Sequence, residues 1–593
     1  MEPRHRRGIP AVARVAIAAT VVILVASLVV ILARRGSDPV AEVAYLPRPA
    51  GSVTYHQHIA PILRDQCIAC HQEGQPGPFR LETYAEVKKR ADQLVTVTQS
   101  GFMPPWLPDA GVGEFVGARR LSGEQLGLLR QWAEDGAPEG PTGGVVLSAA
   151  SPGGWQLGEP DLVVEMAEPF PLPADGPDVY RNFVIPLALP DRRFVRAVEF
   201  QPRTKVIHHA FMMLDPTRQS RRLDARDAEP GFPGTAPPSS AESPGGYFLS
   251  WQPGRRPVES PAGLAWALKP GQDLLLQMHM QPRGAVEAVR PAVGFYFTDE
   301  APTNTPIKIS LSSYDIDIPA GAQEYEVRDR FVLPADVHLL SLLPHAHFLA
   351  RTVEGHAVLP DGRTEPLLRI SHWDFNWQSD YRLTRPLFLP KGTELVMRLT
   401  YDNSTNNVRN PSQPPVRVKY GPQTRDEMGE LWVQLLTRTP ADGRALQTAY
   451  QQRLVRDALQ YHALVIAREP ANAHAHVQLG KACYALGETN RAQSLMQRAV
   501  ELDPNEEEGH YNLGVLLMDS GQNRAAAAEF RKTLLLNPEN VGALNNFGLI
   551  LLYDRQFENS EKMFRKALRI NPDATFAKAN LELLDRTRKT QPR

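Results

Sequence analysis

Six side chains between residues 208 and 428 have the types and spacing to hold two transition-metal ions. Five are histidines, His208, His209, His279, His345 and His347, and the sixth is Met428. Imidazole suits copper, iron and zinc, but a thioether beside imidazoles points to copper, because soft sulfur prefers Cu(I). Divided as three histidines and as two histidines plus methionine, the six make two inequivalent copper sites, an arrangement for oxygen chemistry. Upstream, Cys67-Ile68-Ala69-Cys70-His71 fits covalent haem attachment, in which two thiols add to the vinyl groups and the next histidine ligates iron. Zinc at this motif would need two further ligands, and no second cysteine pair exists.

The second axial haem ligand has three candidates. Met103, in Gly101-Phe102-Met103-Pro104-Pro105-Trp106, follows His71 at a distance that lets a proline-stiffened loop return to the haem; His56 and His58 compete with it. The stretch resembles small bacterial c-type cytochrome domains carrying a Met-Pro-Pro-Trp loop, which implies His71 as proximal and Met103 as distal ligand.

These residues must be placed by the elements around them. From Trp155 to Thr439 the chain alternates β-like runs with Pro/Gly turns; Phe194–Phe200, Asp273–Met280, Ala292–Phe297, Ile307–Leu311 and Glu394–Tyr401 fit strands. Their length and spacing predict sandwiches rather than a parallel α/β sheet. His345 and His347 are two apart, so a strand sends both to one face. His208 and His209 are adjacent and would point to opposite faces, so they share one metal only where the strand bends, bulges or ends. Gln277 shares a face with His279; His338, His356 and His372 have no assigned role.

The ordered set resembles the type II copper, ascorbate-dependent monooxygenases, which include peptidylglycine α-hydroxylating and dopamine β-monooxygenases. The resembling residues are Ile207-His208-His209, Leu276-Gln277-Met278-His279, Val337-His338 leading to His345-Ala346-His347, and Tyr401-Asp402-Asn403-Ser404-Thr405 leading to Gly421 and Asp426-Glu427-Met428. The resemblance implies two jelly-roll-like β-sandwich domains facing each other across a solvent-filled cleft. It implies an electron-storing copper on His208, His209 and His279. A second copper, on His345, His347 and Met428, would bind oxygen and face the substrate, with ascorbate as reductant. The reaction class would be hydroxylation of an aliphatic C–H, with the second oxygen atom leaving as water. Peptide-amidating members carry an arginine two residues before the His-x-His pair, where this chain has Leu343. Their asparagine and tyrosine after the methionine are Glu430 and Trp432 here. Losing a bidentate cation argues against a peptide carboxylate as substrate. Leu343 and Trp432 suit an apolar or aromatic one, and Glu430 an amine.

Pro470, Pro504, Pro538 and Pro572 recur every 34 residues, and Gly480, Gly514 and Gly548 keep the same period. Ala492, Ala526 and Ser560 hold a small-residue position, with Met496, Phe530 and Phe564 four residues later. This is the tetratricopeptide signature, and such arrays present a concave protein- or peptide-binding surface. Cys483 is expected inside it in a structural role. At the other end, Val15–Leu32 is free of charge, with Arg4, Arg6, Arg7 and Arg14 before it and Arg34 and Arg35 after it. That pattern reads as an uncleaved signal anchor with its N-terminus inside and the bulk of the chain exported.

The chain of 593 residues is therefore expected to be multidomain. Residues 1–36 form the cytoplasmic N-terminus and anchor helix, and 37–52 a linker. Residues 53–140 form a small α-helical cytochrome c-like domain, and 141–154 a second linker. Residues 155–305 and 306–440 form the two copper β-sandwiches, and 441–593 the helical repeat solenoid. Cofactors are two copper ions and covalent haem c. Partners are a small substrate, O2, a protein or peptide on the repeats, and the bacterial inner membrane, with the bulk in the periplasm. A net charge of −1 leaves no basic field for nucleic acid. The leading expectation is a copper monooxygenase fed by its own cytochrome. The alternative is a non-catalytic redox-sensing or electron-relay scaffold. Zinc at the histidines is disfavoured by the methionine and by the lack of a His-Glu-x-x-His motif.

Overall fold

A computed structural model describes residues 45–73, 77–141, 154–234, 238, 240–253, 255–261, 263–421 and 423–589. The expected anchor Val15–Leu32 lies outside these residues, as do residues 37–44 of the first linker and 142–153 of the second. Among the described residues no helix is long and apolar enough to cross a membrane. The chain divides into two compact units, one reaching to residue 436 and one comprising 437–593 with the short segments 312–317 and 332–336.

The first unit begins with a helical subdomain. A helical stretch Tyr55–Ile59 runs into Ala60–Gln66, followed by Tyr84–Lys88, Ala91–Gln99 and Gly123–Glu134. Thr83 and Ser122 close reciprocal capping boxes with Glu86 and Gln125, which fixes where two of these helices start. Their apolar faces meet around Ile59, Leu63, Ile68, Leu94, Leu129 and Trp132.

Two β-sandwiches follow. In the first, Leu162–Glu165, Ala292–Thr298, Arg193–Gln201 and Trp266–Leu268 form a four-stranded sheet. It faces a five-stranded sheet ordered Phe232–Pro233, Val179–Pro186, Asp273–Met280, Ile207–Asp215, Ser250–Trp251. Phe183, Leu276 and Met278 of one sheet and Val195, Phe200 and Phe295 of the other share one core. Asp273–Met280, the central strand of its sheet, is buried along its whole length.

The second sandwich pairs Ile307–Ser312, Gly429–Thr437, Val337–Ala346 and Tyr381–Leu389 in one sheet. Tyr325–Val332, Glu394–Tyr401, Ala350–Val358 and Thr364–Ile370 make the other. Gly355 lets the sheets close, since a Cβ there would stand 2.6 Å from Leu431 Cδ2.

In the second unit Pro440–Arg468 precedes three helix pairs, Ala473–Ala485 with Thr489–Leu502, Glu507–Asp519 with Asn523–Leu536, and Val541–Tyr553 with Phe557–Ile570. Thr575–Lys589 follows them. The 34-residue period has a packing cause. A Cβ at Gly480, Gly514 or Gly548 would come within 2.9, 2.7 and 2.7 Å of Met496, Phe530 and Phe564. The large side chain of each second helix therefore needs the glycine of the first. Cys483 is fully buried in this core.

Candidate metal and haem centres

His208 and His209 lie near the start of Ile207–Asp215, where the pairing with Asp273–Met280 slips by one residue between Ile207 and His209. This bulge is the irregularity that two adjacent ligands need, and it turns both imidazoles toward His279 on the neighbouring strand. His208 Nδ1 stands 3.3 Å from His209 Nδ1 and 3.2 Å from His279 Nδ1. Ligand atoms of the three lie within 4.8 Å of one another. Burial, then the neighbouring His279, holds His208 down to about 4, and the same causes with His208 hold His209 well below the usual histidine range. At neutral pH these rings are uncharged and their lone pairs are available to a metal.

Asp178, which sequence reasoning missed, fixes the third ring. His279 Nε2 donates to Asp178 Oδ2 at 2.6 Å, which leaves Nδ1 as the ligand atom, and Tyr180 stacks on the ring at 4.2 Å and 10°. Tyr180 pairs directly with His279 across the sheet, which brings Asp178 to its edge, and no local sequence pattern signals this.

His345 lies at the end of Val337–Ala346 and His347 just beyond it, their ring centroids 5.3 Å apart. His345 Nδ1 meets Gln378 Oε1 at 2.6 Å, and His347 Nδ1 meets the Asp426 carbonyl at 3.0 Å. In both rings Nε2 is left to bind. His347 is held down to about 3 by burial and then by His345. The fully buried Glu427 accepts backbone N–H groups from His347 (2.9 Å), Leu349 (2.6 Å) and Met428 (3.2 Å), which ties the methionine segment to the His-x-His strand. His338 packs on Phe388, and His356 lies on Ala350–Val358; with His372 they stand outside both clusters.

Between the two clusters stands an aromatic side chain. The Phe375 ring is 6.2 Å from that of His208 and 5.8 Å from that of His347.

The Cys67-x-x-Cys70-His71 motif opens into a cavity of about 420 Å³, within the range of cofactor sites. Cys67, Cys70, His71 and Met103 line it, with Phe79 and Leu94 among its apolar walls. His71 Nδ1 meets the Phe79 carbonyl at 2.9 Å, so Nε2 is the free nitrogen. Burial pushes the Cys67 thiol up to about 12. A cavity with two thiols, an oriented imidazole and a thioether on its walls fits haem. Of the three axial candidates only Met103 lines it; His58 Nδ1 is occupied by the Thr54 N–H and His56 pairs with Glu139. The far wall belongs to the first sandwich and includes Lys205, Ile207 and His208.

Residues 324–442 match the model of the copper type II ascorbate-dependent monooxygenase C-terminal domain. Residues 449–516 and 511–580 match tetratricopeptide repeat models. The chain therefore carries a copper type II monooxygenase-like domain and tetratricopeptide repeats. A crystal structure of MamA is similar at 20% identity, covering 26% of this chain and 85% of that one with a TM-score of 0.22. The Arabidopsis OM64 TPR domain is similar at 20% identity, covering 20% of this chain and 96% of that one with a TM-score of 0.19. A comparison with curated proteins finds no match.

Glu430 accepts from Trp432 Nε1 at 2.8 Å, and Lys308 Nζ lies 5.1 Å over the Trp432 ring.

Proposed function

We propose that the protein is a membrane-anchored, periplasm-facing copper monooxygenase that hydroxylates an aliphatic C–H of a small substrate. The overall change is R–H + O2 + 2e⁻ + 2H⁺ → R–OH + H2O. Copper supplies oxygen activation when bound. His208, His209 and His279 would hold one ion, and His345, His347 and Met428 the other. Cys67, Cys70, His71 and Met103 would hold haem c, which would supply one-electron relay from an external donor of the ascorbate class. Leu343 and Trp432 favour an apolar or aromatic substrate. The repeats bind a protein or peptide partner.

One observation carries the reading: a single imidazole, His208, belongs both to the three-histidine cluster and to the wall of the cavity that holds the haem motif. The chain's part in the chemistry is to present neutral imidazoles, to hold Met428 beside His347 through Glu427, and to keep water from the space that Phe375 fills.

The test is the copper and haem content of the full chain, extracted in detergent from a host that matures cytochrome c. Two coppers per covalent haem, with type II Cu(II) signals lost on reduction, support the reading; haem without copper after reconstitution refutes it. Met428→Ile is expected to abolish oxygenation and spare partner binding. A variant that loses only partner binding would favour the scaffold alternative.

A further inference from the structure

Six consecutive residues, Trp373 to Gln378, reach all three candidate redox centres. Trp373 Nε1 donates to the His347 carbonyl at 3.1 Å. Asp374 accepts from the Asn376 N–H at 3.0 Å and from Arg409 at 3.0 Å, which fixes the turn. The buried Phe375 ring lies 24° from parallel to His208 and 88° to His347. Asn376 and Trp377 line the cavity at the Cys67 motif together with His208. Gln378 holds His345 Nδ1. No residue in the segment has a metal-ligand pattern, and none is part of the six-ligand set.

We infer that Trp373–Gln378 is the junction that couples the three centres, with Phe375 the packed bridge between the two coppers. The inference rests on the functional reading above and adds a path to it. An electron leaves ferrous haem, which becomes ferric, and reduces Cu(II) to Cu(I) at the three-histidine site beside the cavity. It then passes to Cu(II) at the second site, and the external one-electron donor restores the haem. Tunnelling weakens more steeply across a gap than through packed atoms, so a ring in contact with a histidine of each site shortens the unfilled path. Phe375 is not itself oxidised, because no group here is a strong enough oxidant for a benzene ring. Its part is to fill the space and to hold both imidazoles in position.

The experiment uses the full chain loaded with haem and copper, and the variant Phe375→Leu, which keeps most of the volume and breaks both ring contacts. Ascorbate is mixed with the oxidised protein, haem is followed by absorbance, and Cu(II) by freeze-quench EPR. Spectra of His209→Ala and His347→Ala identify each copper's signal. In Phe375→Leu, haem oxidation by the first copper is expected to keep its rate. Reduction of the second copper should slow severalfold relative to wild type. Melting temperature and metal content should stay at wild-type values. Wild-type transfer to the second copper in this variant overturns the junction, as does loss of copper, which would make Phe375 a structural residue only. A wild-type protein that binds no haem or no copper overturns the functional reading itself, an outcome visible before any rate is measured.

Discussion

The carboxylate of Glu427 accepts the backbone N–H of His347 at 2.9 Å and, through its other oxygen, that of Leu349 at 2.6 Å. Adjacent to Met428, it locks the thioether segment against the His-x-His pair. Burial pushes this carboxyl up to about 8 against the three N–H donors. Glu427→Gln keeps one acceptor oxygen and turns an NH2 group toward the remaining N–H, so it is expected to fold with lowered stability and weakened retention of the second copper. Glu427→Ala strands three buried donors, each costing about 1–3 kcal/mol, and should lower the denaturation midpoint and lose that copper selectively. Equal copper retention by the alanine variant would show that the carboxylate is not what positions His347.

Asp178 bears on the other site. Its bond to His279 Nε2 selects the tautomer whose Nδ1 faces His208. Removing such an outer partner typically weakens metal binding by about 10–100-fold. Asp178→Ala is expected to show that loss at the three-histidine site alone in a chelator competition, and Asp178→Asn, which still accepts, should recover most of it. An alanine variant with unchanged affinity would mean that Tyr180 stacking suffices to orient the ring.

At the proposed haem site, Met103→His is expected to lower the reduction potential of the bound haem, since a thioether ligand raises it relative to imidazole. Met103→Ala should leave the iron open to small exogenous ligands. His56→Ala and His58→Ala should leave the absorption spectrum unaltered, because neither side chain lines the cavity. A spectral change in either histidine variant, with none in Met103→Ala, would reassign the ligand.

Much of this arrangement can be read in the sequence where local pattern and structure coincide. Asp273–Met280 and Glu394–Tyr401 have the expected strand bounds, and the 34-residue period marks helix pairs because Gly514 and Phe530 must meet. The adjacent His208 and His209 require a bulge, and one is present at Ile207/His209. What the sequence hides are contacts made by packing between distant segments. Asp178 stands 101 residues from His279, and Gln378 33 from His345. Phe375 reaches His208 from the other sandwich. An aspartate, a glutamine and a phenylalanine in loops carry no periodic signal, so only the folded chain shows their roles. The same holds for the far wall of the haem cavity, which the motif at Cys67 gives no reason to place on the copper region.

The helical subdomain is held to the second sandwich partly by Asp109, and this contact has a definite pH dependence. Asp109 accepts from the Ser371 hydroxyl at 2.5 Å, Arg369 Nε at 2.7 Å and the Ser371 N–H at 3.2 Å, while Trp106 packs edge-on against Tyr381 at 5.4 Å. Burial works against ionisation, but Ser371 and Arg369 outweigh it and hold the carboxyl below its ordinary value. A depressed folded-state pKa gives stability that is fully present above the unfolded value of about 3.9 and is lost as pH falls through the folded one. Arg369 is half exposed, so solvent screening keeps the ion pair's share to about 1 kcal/mol or less. Hydrogen exchange of residues 106–116, corrected for intrinsic rates, should therefore show level protection from about pH 8 to pH 5 and a decline below about pH 4. Asp109→Asn should be less protected throughout and lose the acid-dependent decline. If the variant keeps the wild-type pH profile, some other carboxylate governs the docking of the helical subdomain.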